Sequence, residues 1–240
     1  MAAAVDPVAL KELLTSDNVT VLEETVRSYE DITILENPEE EEKLLKVRIM
    51  IWSRITALRK ASGDSQIDSL QQIGNLWRTM GYSTKALGQL KLAEKLDAEN
   101  AVTLGFMAEA YAEDSKYDLS VQYHEKCIGI WEKSADKKQD TAVAYRKLAN
   151  TYWLKGDSQQ SLEVLKKADG IVQDAGLGGT DTDAVILGQM GQLLERSGDY
   201  EEAVNVLTRA HKVLILTRGA TNTKTEEIGF LLEMASNLKI

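Results

Sequence analysis

The 240 residues carry 28 Lys and Arg against 38 Asp and Glu, a formal charge of −10; such a field repels phosphate backbones and anionic headgroups and sets nucleic acid and membranes aside as partners. Two prolines and two phenylalanines amid plentiful Ala, Leu, Glu and Lys favour helix over strand, while a lone cysteine, Cys127, excludes an internal disulfide and points to a reducing, cytoplasmic setting. The most apolar run, Ile49-Met50-Ile51-Trp52, stands between Arg48 and Arg54, far short of the roughly 20 residues that cross a bilayer.

From the amino terminus, Met1 to Pro7 lacks the basic and apolar regions of a signal peptide, and Ala2 is not the glycine that myristoylation requires. Asn18-Val19-Thr20 matches a glycosylation acceptor by chance, with nothing else to suggest secretion. Apolar periodicity predicts helices over 7–15, 19–35 and 38–61. Asn37-Pro38 followed by Glu39 to Glu42 supplies a cap, a first-turn proline and carboxylates at the positive end of the helix dipole, so the acidic run has a structural explanation. Leu44, Leu45, Val47, Ile49, Met50, Ile51, Trp52, Ile55 and Leu58 are too many for one face and predict burial on several sides.

Beyond residue 66 the chain matches itself in four successive copies. A small residue recurs as Gly74, Ala108, Ala149 and Gly191, the copies standing 34, 41 and 42 residues apart. Seven residues on, a turn position holds Gly81, Ser115, Gly156 and Gly198; then come Ala86, Ser120, Ser161 and Ala203, and then Ala93, Cys127, Ala168 and Ala210. Antiparallel helices approach closely only where side chains are small, so Gly74 is expected to face Ala86, and Gly191 to face Ala203. Gly156-Asp157 and Gly198-Asp199 end one helix and cap the next, with Gln160 and Glu202 three residues later completing capping-box patterns. Each copy is therefore helix, tight turn, helix. The extra residues of the longer copies, around Ala135 to Asp140 and in the Gly-rich stretch from Ala175 to Asp183, are expected to lengthen second helices and loops. Residues 224–238 form a last amphipathic helix, with Ile228, Leu231, Leu232 and Met234, that caps the open end.

Segments such as IGNLWRTMGYSTKALGQLKLAEKLDAEN and MGQLLERSGDYEEAVNVLTRAHKVL resemble the tetratricopeptide repeat family, and the 41- and 42-residue spacings look somewhat like those of kinesin light chain and related adaptors. The resemblance implies an all-α, right-handed superhelical solenoid of antiparallel helix pairs. The expected division is an amino-terminal helical cap or degenerate repeat over 1–66, four repeats at about 67–100, 101–141, 142–183 and 184–218, and a carboxy-terminal capping helix over 219–240.

The sequence shows no catalytic set. His124 and His211, with one cysteine, make no recognisable metal or nucleophile constellation. His124 falls where the other copies have Leu90, Leu165 and Leu207, and reads as a partly buried packing residue; Cys127 matches alanines and reads as a small helix contact. Gly176-Leu-Gly-Gly-Thr lacks the lysine and setting of a phosphate cradle and reads as a flexible loop. No enzyme activity, cofactor or metal is expected. The resemblance implies protein partners instead, as a peptide or helix in the concave groove of first helices. Matching positions give Gln71, Gln72, Asn75 and Arg78; Phe106, Glu109 and Glu113; Arg146, Lys147, Asn150 and Trp153; and Gln189, Gln192, Glu195 and Arg196. In the family, groove asparagines such as Asn75 and Asn150 hold peptide backbone. The chaperone-tail clamp is not met, because Gln189 replaces an asparagine and Glu227 a lysine, so an acidic carboxy-terminal tail is expected not to bind. The roles that follow are an adaptor or scaffold, a co-chaperone-like adaptor without that clamp, or a structural subunit of a microtubule or ciliary assembly.

Overall fold

The computed structural model describes residues 7–29 and 37–239. Over these the chain is helical throughout, without strands, and within each of its two units the helices pair in sequence order. They fall into two compact units, residues 1–116 and 117–240, each considered by itself.

In the first unit, α1 (Pro7–Leu14) and α2 (Val19–Ser28) precede α3 (Pro38–Ser62). The side chain of Asn18 accepts the Val21 N–H and so caps α2. The helix as described ends at Ser28, and the rest of the expected helix lies outside the described residues. Asn37 caps α3 by accepting the Glu39 N–H at 3.0 Å, and Glu39 and Glu42 pair with Lys43 and Lys46 one turn on, as a solvated first turn should. Ile51, Ile55 and Trp52 are buried with Leu22 and Val26 of α2 on one side and Ile73 and Leu76 on the other, which accounts for the excess of apolar residues in α3. Each fully buried aliphatic side chain there contributes about 1.5–3 kcal/mol. Helices α4 (Ile67–Thr79) and α5 (Ser83–Leu96) form the first hairpin, and α6 (Ala101–Glu113), capped by Asn100, packs on both.

The second unit runs α7 (Tyr117–Trp131), α8 (Lys138–Lys155), α9 (Ser158–Asp174), α10 (Asp181–Ser197), α11 (Tyr200–Arg218) and α12 (Thr223–Leu238), with a short 3-10 turn at Ala135–Lys137. The tightest associations are the α8–α9 and α10–α11 hairpins, and α12 lies on α11.

All four turn positions adopt the left-handed conformation, with φ of 78° at Gly81, 57° at Ser115, 90° at Gly156 and 84° at Gly198. In each, the N–H of the next residue reaches back five positions, Tyr82 to Trp77, Lys116 to Tyr111, Asp157 to Tyr152 and Asp199 to Leu194, closing a Schellman turn. Ser115 alone carries a Cβ in that region, which costs free energy that glycine avoids. Ser115→Gly is therefore expected to stabilise the protein by about 0.5–1 kcal/mol, read as a higher urea midpoint; a lower midpoint would remove this account of the turn.

At Gly74 and Gly191 the nearest side chains are leucines. A Cβ at Gly74 would stand 2.7 Å from Leu90 Cγ, with only the carbonyl of Ala86 at 3.4 Å; one at Gly191 would stand 2.3 Å from Leu207 Cδ2. The glycines thus receive the leucines one turn beyond the small residues, because helical side chains lean back toward their own amino terminus. Elsewhere the small position carries a hydroxyl that is used: Ser161 donates to the Ala149 carbonyl at 2.7 Å, and Ser120 shares a hydrogen bond with Thr151.

The caps are half-boxes. Asp157 and Asp199 accept the N–H groups of Gln160 and Glu202, but the latter side chains bond Glu163 and Lys166 instead of returning. The extra residues of the longer copies also enter first helices, for α8 and α10 span 18 and 17 residues against 13 for α4 and α6. Nor is the Gly-rich segment a loose loop: the buried carboxylate of Asp183 accepts the Gly179 N–H at 2.8 Å, and Thr180 caps α10.

Candidate partner-binding groove

In the first unit the predicted groove residues are largely engaged with one another. Gln71 is buried, and its Nε2 donates at 2.8 Å to both Asn100 Oδ1 and Thr103 Oγ1, so it fastens α4 to the start of α6 and is not a ligand contact. Its position beside the Asn100 cap decides this. Arg78 donates through Nε and Nη2 to Asn75 Oδ1, through Nη1 to Glu113 at 2.5 Å, and pairs with Glu109 at 3.3 Å. Burial pushes the Glu113 carboxyl above its usual range, outweighing the opposing bond and charge of Arg78. Gln72 and Phe106 are half-buried on the same two helices.

In the second unit Asn150, Trp153, Gln189, Gln192, Glu195 and Arg196 come together. With Ser161, Leu165, Leu193 and Leu231 they line one cleft of about 400 Å³ between α8, α9, α10 and α12. Spacing of three and four brings them there: Asn150 and Trp153 share a face of α8, and Gln189, Gln192 and Arg196 share a face of α10. The Arg196 guanidinium lies 4.4 Å from the Trp153 ring centroid, a cation–π contact that ties the two helices at the cleft edge. Gln189 Oε1 is buried with no hydrogen-bond partner. Among the described residues none offers a side-chain bond or ion pair to Asn150, Gln192 or Glu195. A smaller hollow of about 100 Å³ adjoins, sharing Gln189 and Gln192 and bounded by Gly188, Lys224 and Ile228.

Arg146 and Lys147, half-buried on α8, do not line this cleft. Lys147 instead stands near His124 of α7, which is fully buried and not partly so. Burial first, and the Lys147 charge second, hold its imidazole down at about 3. Cys127 is buried like Ala93, Ala168 and Ala210. Leu193 is a lining residue that the sequence did not single out, and Leu231 was named only as part of a capping helix; α12 lacks the small-residue landmarks, and only its apolar periodicity could have signalled a groove-side residue. Among the described residues no three His, Cys, Asp or Glu side chains are placed to hold a metal ion, and no helix is long and apolar enough to cross a membrane.

Helix hairpins that associate in sequence order around recurring small residues define a helical-repeat protein. Models of the tetratricopeptide repeat match residues 99–168 and 186–214, so these segments are tetratricopeptide repeats. No curated protein matches the sequence significantly. Similar solved structures include a putative kinesin light chain of Podosopora anserina with nearly identical TPR-like repeats, at 14% identity over 84% of this chain and 97% of that one, with a TM-score of 0.66. BtubC of P. vanneervenii follows at 15% identity, 90% and 84% coverage and 0.63. A Rap protein complexed with competence and sporulation factor matches at 12%, 82% and 62% coverage and 0.60. At these identities the likeness concerns the fold.

Proposed function

We propose that the chain is a non-catalytic protein-interaction module, an adaptor that seats a segment of a partner protein in the cleft between α8, α10 and α12. The observation that carries this reading is the contrast between the two units. On α4 and α6 the candidate polar groups are bonded to each other, whereas in the α8–α10 cleft Asn150, Gln189, Gln192 and Glu195 retain unused hydrogen-bonding capacity beside exposed parts of Trp153 and Leu231. Polar groups that converge on an apolar-floored hollow are what a binding site needs and a plain solvated surface does not. The Rap neighbour, which is itself complexed with a factor, is consistent with that use of the fold. A cytoplasmic setting, suggested by the lone buried Cys127, goes with this proposal, as does the division into a cap over 1–66, repeats over 67–218 and a closing helix over 219–240. Trp153→Ala, which removes the wall and frees Arg196, is expected to abolish capture of partners from native extract while leaving the helical circular dichroism unchanged. Capture that survives this change would place the interface elsewhere.

The alternative role, a subunit of a larger cytoskeletal or ciliary assembly, draws on one observation. Helix α12 turns Phe230, Met234 and Leu238 outward, 63%, 37% and 43% exposed, in a stripe at i, i+4 and i+8. Under that reading Phe230→Glu, not Trp153→Ala, removes the chain from its assembly in co-sedimentation.

A further inference from the structure

Resting on the cleft as the partner site, we propose that it takes a basic side chain of the partner, a lysine or arginine presented by a bound segment. Three observations point the same way. The buried Gln189 Oε1 has no donor, and an acceptor left unpaired in a desolvated site is costly until a ligand supplies an N–H. Glu195, half-buried on the same wall, has no cation bound to it among the described residues. Of the nearby cations, Arg196 lies over the Trp153 ring, and Lys224, which borders the smaller hollow, bonds Glu227 at 2.8 Å.

Among the described residues, none donates to the Gln189 amide oxygen or the Glu195 carboxylate. An ammonium or guanidinium brings the N–H donors that the amide oxygen lacks and the positive charge that the carboxylate attracts, while its aliphatic stem lies along Leu193 and Leu231. An acidic side chain would set oxygen against oxygen at Gln189 and charge against like charge at Glu195. Beyond its first turn a helical partner contributes no backbone N–H groups, because its own turns consume them, so from the body of a helix only a side chain can reach Gln189. The chain's net charge of −10 would steer such a basic segment inward.

The test is selection of a displayed random-peptide library on the immobilised full chain, followed by calorimetry with the enriched peptides. Enriched sequences are expected to share a lysine or arginine, and replacing that residue by norleucine should weaken binding about tenfold or more. Gln189→Leu and Glu195→Gln should weaken it comparably, whereas Gln189→Glu, which adds a carboxylate at the same place, should tighten it several-fold. Peptides that depend on Trp153 but carry no essential basic residue, or that ignore Gln189→Glu, would overturn the basic side chain and leave the cleft as the partner site. Peptides whose binding is indifferent to Trp153→Ala, or failure to enrich any, would overturn both.

Discussion

Alanine at Gly191 is expected to destabilise the protein by about 2 kcal/mol in urea unfolding, although alanine is the better helix former by about 1 kcal/mol. The new Cβ would lie 2.3 Å from Leu207 Cδ2 and 2.4 Å from its Cγ, and Leu207 is fully buried, so neither atom has room to withdraw without shifting α11. At Gly74 the corresponding contacts to Leu90 are 2.7 and 2.8 Å, and the penalty for alanine there should be smaller. Leu207→Ala alone should cost about 2–5 kcal/mol through the cavity it leaves. Combined with Gly191→Ala it should cost less than the sum, since the second methyl enters the space that the leucine vacates. Strict additivity would show that the glycine is not there to admit Leu207.

The same contact shows how far the sequence carries the fold. The recurrence of small residues announces a close approach, and the turn positions announce left-handed termini, because both demands fall on residue types with few alternatives. Which side chain fills the approach is a matter of rotamer direction. That is why the small residues Ala86 and Ala203 announce the approach while Leu90 and Leu207 make its nearest contacts. The longer first helices were hidden for a different reason. Lys138, Gln139 and Asp140 sit in what the repeat length marks as a connection, yet their intrinsic preference is compatible with helix, and the capping Thr180 lets α10 begin before Ala184.

The candidate groove was legible by position and not by bonding. The resemblance to the repeat family placed Asn150, Trp153, Gln189, Gln192, Glu195 and Arg196 in a candidate groove, and they line one cleft. The same resemblance also selected Gln71 and Arg78, whose polar atoms are consumed by Asn100, Thr103, Asn75 and Glu113. A hydrogen-bond partner some 30 positions away leaves no periodic trace, so periodicity alone cannot separate an available amide from a spent one.

His124→Leu is expected to make the protein less sensitive to acid, and more stable at pH 4.5 than the parent chain by about 2–3 kcal/mol. The imidazole has an ordinary value of 6.5 when unfolded and is held at about 3 in the fold, first by burial and then by Lys147. Between those values the unfolded chain binds a proton that the folded chain does not. Stability contributed by the neutral histidine is therefore complete above about pH 6.5 and drains away as pH falls toward 3, by about 1.4 kcal/mol per pH unit. Leucine has no proton to bind in either state and suits the site, for its counterparts Leu90, Leu165 and Leu207 are fully buried at the same repeat position. The change also removes a buried Nδ1 that has no hydrogen-bond partner, so even at pH 7.5 the variant should be at least as stable as the parent. Carboxylates titrate in the same range, but they are common to both proteins, and the difference between the two urea midpoints isolates the histidine. A gap that stays constant from pH 7.5 to pH 4.5 would mean that His124 binds its proton equally well folded and unfolded, and that α7 opens to admit it.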